Sequence, residues 1–416
     1  MNKTLLSTVL LSFLALSGCN DSDDKITSDQ QNQINEPTLV SFAKLDVATY
    51  ADGPDSGLYV KGANGIYPPF KGQPVQGFSG ALKNADGTYL VMSDNGFGAQ
   101  DNSADYLLRL YNISVDFRTA KTNSNNVKVL SHIQLRDPNK LVPFKIVNES
   151  TPERLLTGAD FDPESIQRDK NGDIWIGDEF GPFLLHFSAD GVLKSAPIAL
   201  PHPEKEGEEL RSPQNQLHQS AAEIENALVQ RSGGFEGMAI SPDGQYLYPM
   251  LEKPLSKNAQ RHLLISKFDI AKKAYTNDHY YFELDPKATA IGDFQLFSQN
   301  EGVVIERDDT ENNVGGFKKL VRIQLNEPKQ LVNKTDLVNL MDIANPNLLY
   351  GTPREGDIMT GDRFGFPFFT IEDIVIEGPD LITVLNDNNF PGSSGRNAKL
   401  ADDNEIIQIK LDKKLY

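Results

Sequence analysis

Short apolar runs that alternate with polar residues and break at Gly, Asn-Gly or Asp-Gly recur along the chain from Leu39 to Leu411. A period of two marks a half-buried strand. The sharpest unit spans residues 162–183: a run opening on Glu164, a polar turn at Asn171-Gly172, a second run from Asp173 to Gly177, and an acidic exit at Asp178-Glu179. Asn-Gly between alternating runs predicts a type I′ hairpin, because both central residues of that turn need positive φ. Such a hairpin sets Glu164 and Asp178 at neighbouring strand ends on one edge.

Four other stretches repeat the unit. They run from Gly77 through Asp86-Gly87 to Asn95, from Gly234 through Asp243-Gly244 to Lys253, from Asp293 through Asn300 to Asp308, and from Thr370 through Gly378 to Asn388. Further strand-like runs follow each hairpin, giving four strands per repeat at a spacing well above 20 residues, the signature of a β-propeller. The expected fold is therefore all-β, with five repeats visible and five or six blades; a sixth could be hidden in residues 48–76 or in an insertion. Insertions are expected at 137–159, 201–233 and 331–366, with short helices at 221–229 and 334–340. The run at 39–47 is placed to pair with the last run, 405–411, and close the ring. A β-sandwich or two small β domains is the alternative, and the regular acidic hairpins favour the ring.

In a propeller the inner strands line an axial channel and their end loops meet at one mouth. Glu164, Glu236 and Glu372 would then gather there with Asp94, Asn95, Asp178, Glu179, Glu252, Glu306, Asp308, Asp387 and Asn388. Like charges a few Å apart cost several kcal/mol at an effective ε of about 20. Oxygen ligands without cysteine suit Ca²⁺, or Mg²⁺, rather than a soft metal. Asp residues in the Asp-Gly turns at 86, 190 and 243 are read as turn caps. Glu is a poor turn residue, so the Glu series is assigned to metal, with Glu236, Glu164 and Asp178 as catalytic candidates. Lys253, Arg307, Arg363 and Arg396 are candidate phosphate clamps; local pairing is the usual fate of surface Arg. There is no Gly-x-Ser-x-Gly elbow, Walker loop or dinucleotide fingerprint. His186, inside an apolar run, reads as a packing residue.

Charge narrows the partners. Among 416 residues, a formal net charge of −18 argues against nucleic acid, which is held by clustered Lys and Arg. Met1-Asn-Lys3 and the apolar stretch from Leu5 to Leu16 form a signal-like start, too short to span a bilayer. Leu16-Ser-Gly-Cys19 resembles the bacterial lipobox, and Cys19 is the one cysteine in the chain. Residues 1–19 are thus expected to be a lipoprotein signal and 20–38 a disordered tether, with 39–416 forming one domain. A lipid on Cys19 would anchor a monomer in the envelope. Asn20 favours the outer membrane, facing periplasm or surface.

Asp162-Pro-Glu-Ser-Ile with Trp175-Ile-Gly-Asp-Glu-Phe-Gly-Pro182, Gly234-Phe-Glu-Gly-Met-Ala-Ile-Ser-Pro-Asp-Gly244, and Thr370-Ile-Glu-Asp-Ile with Asn386-Asp-Asn-Asn-Phe-Pro391 resemble three blocks of the phytase-like family described as having esterase-like activity. The resemblance covers roughly residues 70–410, with Ser165 departing from an expected Gly. It implies kinship with β-propeller phytases and calcium-assisted hydrolysis of a small ester or phosphoester. The alternative is a non-catalytic binding propeller whose acidic ring is a structural Ca²⁺ site.

Overall fold

The computed structural model describes residues 35–256 and 260–416. The expected signal peptide, Cys19 and most of the expected tether lie outside them. Nearly all regular structure falls into five four-stranded antiparallel units, called sheets below: three are separate, and the first and fifth join, with two short strands, into one ten-stranded sheet. In chain order the first holds Phe78–Lys83, Tyr89–Ser93, Arg109–Asp116 and Asn126–Gln134. The second holds Pro163–Arg168, Ile174–Asp178, Phe183–Phe187 and Ile198–Ala199. The third is Phe235–Ile240, Tyr246–Leu251, His262–Asp269 and Ala274–Glu283. The fourth is Ala290–Leu296, Glu301–Arg307, Lys318–Gln324 and Asn333–Asn339. The fifth is Asp373–Gly378, Leu381–Leu385 and Asn404–Lys410, completed by the N-terminal strand Thr38–Leu45.

That completion closes the molecule. Thr38 pairs with Lys410 and Leu45 with Asn404, so the start of the domain is stitched to its end. A single parallel bridge, Lys44 to Asn126, links the fifth sheet to the first. The leading strands of the five sheets touch in cyclic order, first to second through to fifth and back to first. Between each neighbouring pair lies its own apolar core: Ile166 meets Leu90, Phe235 meets Trp175, Phe294 meets Tyr248, Ile374 meets Val303, and Val375 meets Phe78. Alternation along each strand supplies one apolar face to each neighbour, which is why the runs stay apolar on both sides near the centre. The arrangement is all-β and propeller-like.

Three expectations about local structure are corrected. Of the turn residues Asn171 and Gly172 only Gly172 has positive φ, +83°. The loop is not type I′, because the Asp169 carboxylate accepts from the Asn171 and Asp173 backbone N–H groups and fixes a longer turn. Residues 334–340 are not a helix: Asn333–Asn339 is the outer strand of the fourth sheet, bonded along Lys318–Gln324. Helix in 221–229 is confined to Ala221–Glu225, capped by Ser220. Residues 48–76 hold only two-residue strands, Tyr50–Ala51 and Gln73–Pro74, paired with each other.

Candidate functional site

Four of the five leading strands carry a similar local device. In the first four sheets the register slips within one short motif: at Phe78/Ala81, Pro163/Ser165, Phe235/Gly237 and Ile291/Asp293. A β-bulge leaves its extra residue unpaired and re-aims the side chain. The extra positions are occupied by Ser79, Glu164, Glu236 and Gly292; Glu372, just before the strand Asp373–Gly378, is the fifth, its N–H bonded to the Leu385 carbonyl. A second ring comes from the partner strands. Phe78, Pro163, Phe235 and Ile291 pair with Ser93, Asp178, Leu251 and Glu306, and the residues that follow are Asp94, Glu179, Glu252 and Arg307. By the same count the fifth sheet supplies Asp387.

These side chains converge. Carboxylate oxygens of Glu164, Glu236 and Glu372 lie within 4.8 Å of one another, as do those of Glu179, Glu236 and Glu252, and those of Asp94, Asp162 and Glu164. Glu164 and Glu236 join the three sets into one centre. All are buried, Glu236 to 3 % exposure. Asp387 acts electrostatically on both Asp94 and Glu372. At such separations an ionised pair repels by about 3–4 kcal/mol at ε of about 20. Burial, then neighbouring carboxylates, push Glu164, Glu236, Glu179 and Asp94 well above the usual range. Glu372 is pushed to about 8 by burial and Asp387; Asp387 itself rises to about 6, chiefly through burial.

The fourth sheet breaks both rings. A Cβ on Gly292 would stand 1.9 Å from the Ile371 carbonyl oxygen, so no side chain fits there. From the same sheet the Arg307 guanidinium reaches Glu252 at 2.9 Å, Glu236 at 3.6 Å and Glu372 at 3.8 Å. Burial works against its charge, but Glu252, Glu236 and Glu372 outweigh it and raise the Arg307 pKa. Lys253 adds a second cation, 2.7 Å from Glu252. In the first sheet Ser79 Oγ donates to Glu372 at 2.7 Å.

Other expected residues lie apart or serve the backbone. Asp178 accepts from the Asp162 and Gly181 N–H groups at 2.9 and 2.6 Å, so its carboxylate caps the turn that presents Glu179; burial raises it to about 8. Asn388 accepts from the Gly77 N–H and donates to the Asp402 carbonyl, while Asn95 holds Asp162 at 2.7 Å. Glu306 turns away to Lys334 at 3.0 Å, because strand alternation sends Arg307, not Glu306, inward. Asp308 pairs with Lys318 at 3.0 Å. Arg363 sits on the surface between Asp342 and Glu36. Arg396 is buried, bonded twice to Glu405 and stacked on Phe364 and Phe368. Neither arginine clamps an anion at the centre. His186 stacks on Trp175 with centroids 4.1 Å apart, a packing role. Asp162 and Ser79 were missed as site residues; aligning the five motifs on the bulge would have found Ser79.

Fold and site together define an all-β, propeller-like protein with a buried acidic axial centre. The chain belongs to the phytase-like family described as esterase-like activity of phytase, whose match spans residues 73–390. No curated protein matches it. Among solved structures, a periplasmic gluconolactonase from Pseudomonas aeruginosa aligns at 14 % identity over 90 % of this chain and 100 % of that one, with a TM-score of 0.35. A PQQ-bound aldose sugar dehydrogenase from Streptomyces coelicolor aligns at 11 % identity over 91 % and 99 %, with a TM-score of 0.36. Likeness this distant carries nothing about chemistry.

Proposed function

We propose that this protein is a metal-assisted hydrolase of small esters, phosphoesters foremost, built on a five-bladed propeller and anchored in the bacterial envelope through Cys19. One observation supports it above the rest: carboxylates from four sheets converge, and buried Glu236 Oε1 accepts no hydrogen bond, with Arg307 no nearer than 3.6 Å. Eight acidic groups, Asp94, Asp162, Glu164, Glu179, Glu236, Glu252, Glu372 and Asp387, face two internal cations, Arg307 and Lys253. Buried charge in that excess calls for protons or cations. All donors are oxygen, so the set fits Ca²⁺ or Mg²⁺. When bound, such an ion polarises an ester oxygen and acidifies a water.

The chain's own groups divide the remaining work. Glu236 belongs to two of the three carboxylate sets and is placed to accept a proton from water as its oxygen attacks phosphorus or acyl carbon. The ester oxygen leaves as the alcohol, taking one proton. Arg307, unable to lose its charge, orients an anionic group and steadies Glu252. Asp178 and Asn95 hold Glu179 and Asp162 in place.

The deep burial of the centre favours a second reading, a structural Ca²⁺ site in a binding propeller. Full-length protein assayed on p-nitrophenyl phosphate and p-nitrophenyl acetate separates the two. The hydrolase reading expects turnover with Ca²⁺, loss in EDTA, and at least a hundredfold lower kcat in Glu236→Gln at unchanged melting temperature. Stabilisation by Ca²⁺ without turnover of either ester would establish the structural role instead.

A further inference from the structure

Beside the acidic centre, with Asp94 in its wall, lies a cavity of about 500 Å³. Clefts of roughly 300–1,000 Å³ are the size that encloses a small organic ligand. Three segments outside the five sheets build it: residues 59–63, from the stretch before the first sheet, residues 96–102, from the loop after Asp94, and residues 389–392, from the loop after Asp387. The floor is aromatic. Phe97 and Phe390 lie 6.5 Å apart between centroids, and behind them Phe70 packs on Phe390 at 5.0 Å and Tyr106 on Phe97 at 5.3 Å.

The walls are tied together. Asn64 Nδ2 donates to the carbonyls of Pro391, Gly392 and Ser393 at 3.2, 2.7 and 3.3 Å, joining the first segment to the third. The Leu58 N–H is held by Asp105 at 2.7 Å. Tyr59, also in the lining, is 61 % exposed. Among the lining residues Lys61 is the one cation, set against Asp94 and Asp101. Beyond a cation at the centre, the wall has this one positive charge to offer the many phosphates of a densely phosphorylated polyol, and Asp101 opposes them. Three aromatic side chains, Tyr59, Phe97 and Phe390, are among the lining residues, and aromatic rings favour a flat apolar body.

We propose that this cavity holds the flat apolar part of the substrate, so that the protein selects monoesters of aromatic or similarly planar alcohols and rejects polyphosphorylated polyols. The selection of esters rests on the hydrolase reading given above; the binding of the planar group does not. Tyr59 and Phe390 grip the ring, and Lys61 meets an oxygen at its edge.

The test uses full-length protein with Ca²⁺ and the substrates 1-naphthyl phosphate, 1-naphthyl acetate and phytate, together with saturation-transfer NMR of 1-naphthol. Wild type should turn over the naphthyl esters in preference to phytate. Tyr59→Ala should raise KM for them at least fivefold with kcat within twofold, Tyr59→Phe should restore it, and the 1-naphthol signal should fall in parallel. Tyr59 is exposed, so a matching melting temperature shows that the variant folds. Ester turnover with KM unmoved by Tyr59→Ala, or with phytate preferred, overturns the pocket and leaves the hydrolase standing. Tyr59-dependent binding of 1-naphthol without turnover of any ester supports the pocket and removes the hydrolase.

Discussion

Four of the five sheets bring acid or hydroxyl to the axis; the fourth brings a glycine and an arginine. At the bulge Ser79, Glu164, Glu236 and Glu372 answer to Gly292, and at the exit Asp94, Glu179, Glu252 and Asp387 answer to Arg307. The register slips at this point in the first four sheets, the fourth included, so what sets the fourth apart from the other three is its side chains. The difference teaches that the centre is not simply as acidic as the repeat could make it. Where further carboxylates would add repulsion, the chain removes one side chain and inserts a permanent positive charge that pairs with three glutamates.

Replacing the arginine breaks the comparison hardest. Arg307→Met strands Glu252, Glu236 and Glu372, and losing one partner of a buried ion network costs about 3–5 kcal/mol. Chemical denaturation in EDTA should show that loss, and Ca²⁺ should recover part of it; an unchanged midpoint would mean the charge is idle. Gly292→Ala comes next, because its Cβ meets a backbone oxygen rather than a flexible side chain. Overpacking of this kind costs about 1–3 kcal/mol, to be read as a lower midpoint at unchanged slope.

Proton linkage gives a subtler contrast. Glu372 and Asp387, held near 8 and near 6, bind protons more tightly folded than unfolded. The folded state therefore carries more protons, and stability falls as pH rises. For metal-free protein the contribution of these groups is full below the unfolded carboxylate range near pH 4. It is lost as pH climbs through about 6 and then about 8. Thermal melts from pH 4 to 9 in EDTA should fall steadily, more steeply in Arg307→Met, and should flatten with Ca²⁺. The smallest effect belongs to Ser79→Ala, which removes one buried hydrogen bond to Glu372 and should cost about 1 kcal/mol.

Much of this was legible in residue order. Polar turns between alternating runs located the hairpins, and the run at 39–47 disclosed the closure because a ring must join its first blade to its last. Glu164, Glu236 and Glu372 were found because glutamate has no business capping turns. What sequence hid was register. A bulge adds one residue to a strand, and a slip of one reverses which side chain faces inward. Asp178 and Glu306 were each one residue from the true inward positions, Glu179 and Arg307. Asn333–Asn339 escaped because an outer strand is mostly exposed and lacks apolar alternation. Arg396 is held by Glu405 and rings distant in sequence, which no local pattern reveals.

The most direct measurement is an anomalous difference map from a crystal soaked in Ca²⁺. Convergence of the two rings on a shared cation predicts a peak bounded by Glu164, Glu236 and Glu372, absent in Glu236→Gln. A wild-type map with no peak there, and Arg307 alone balancing the glutamates, would contradict it.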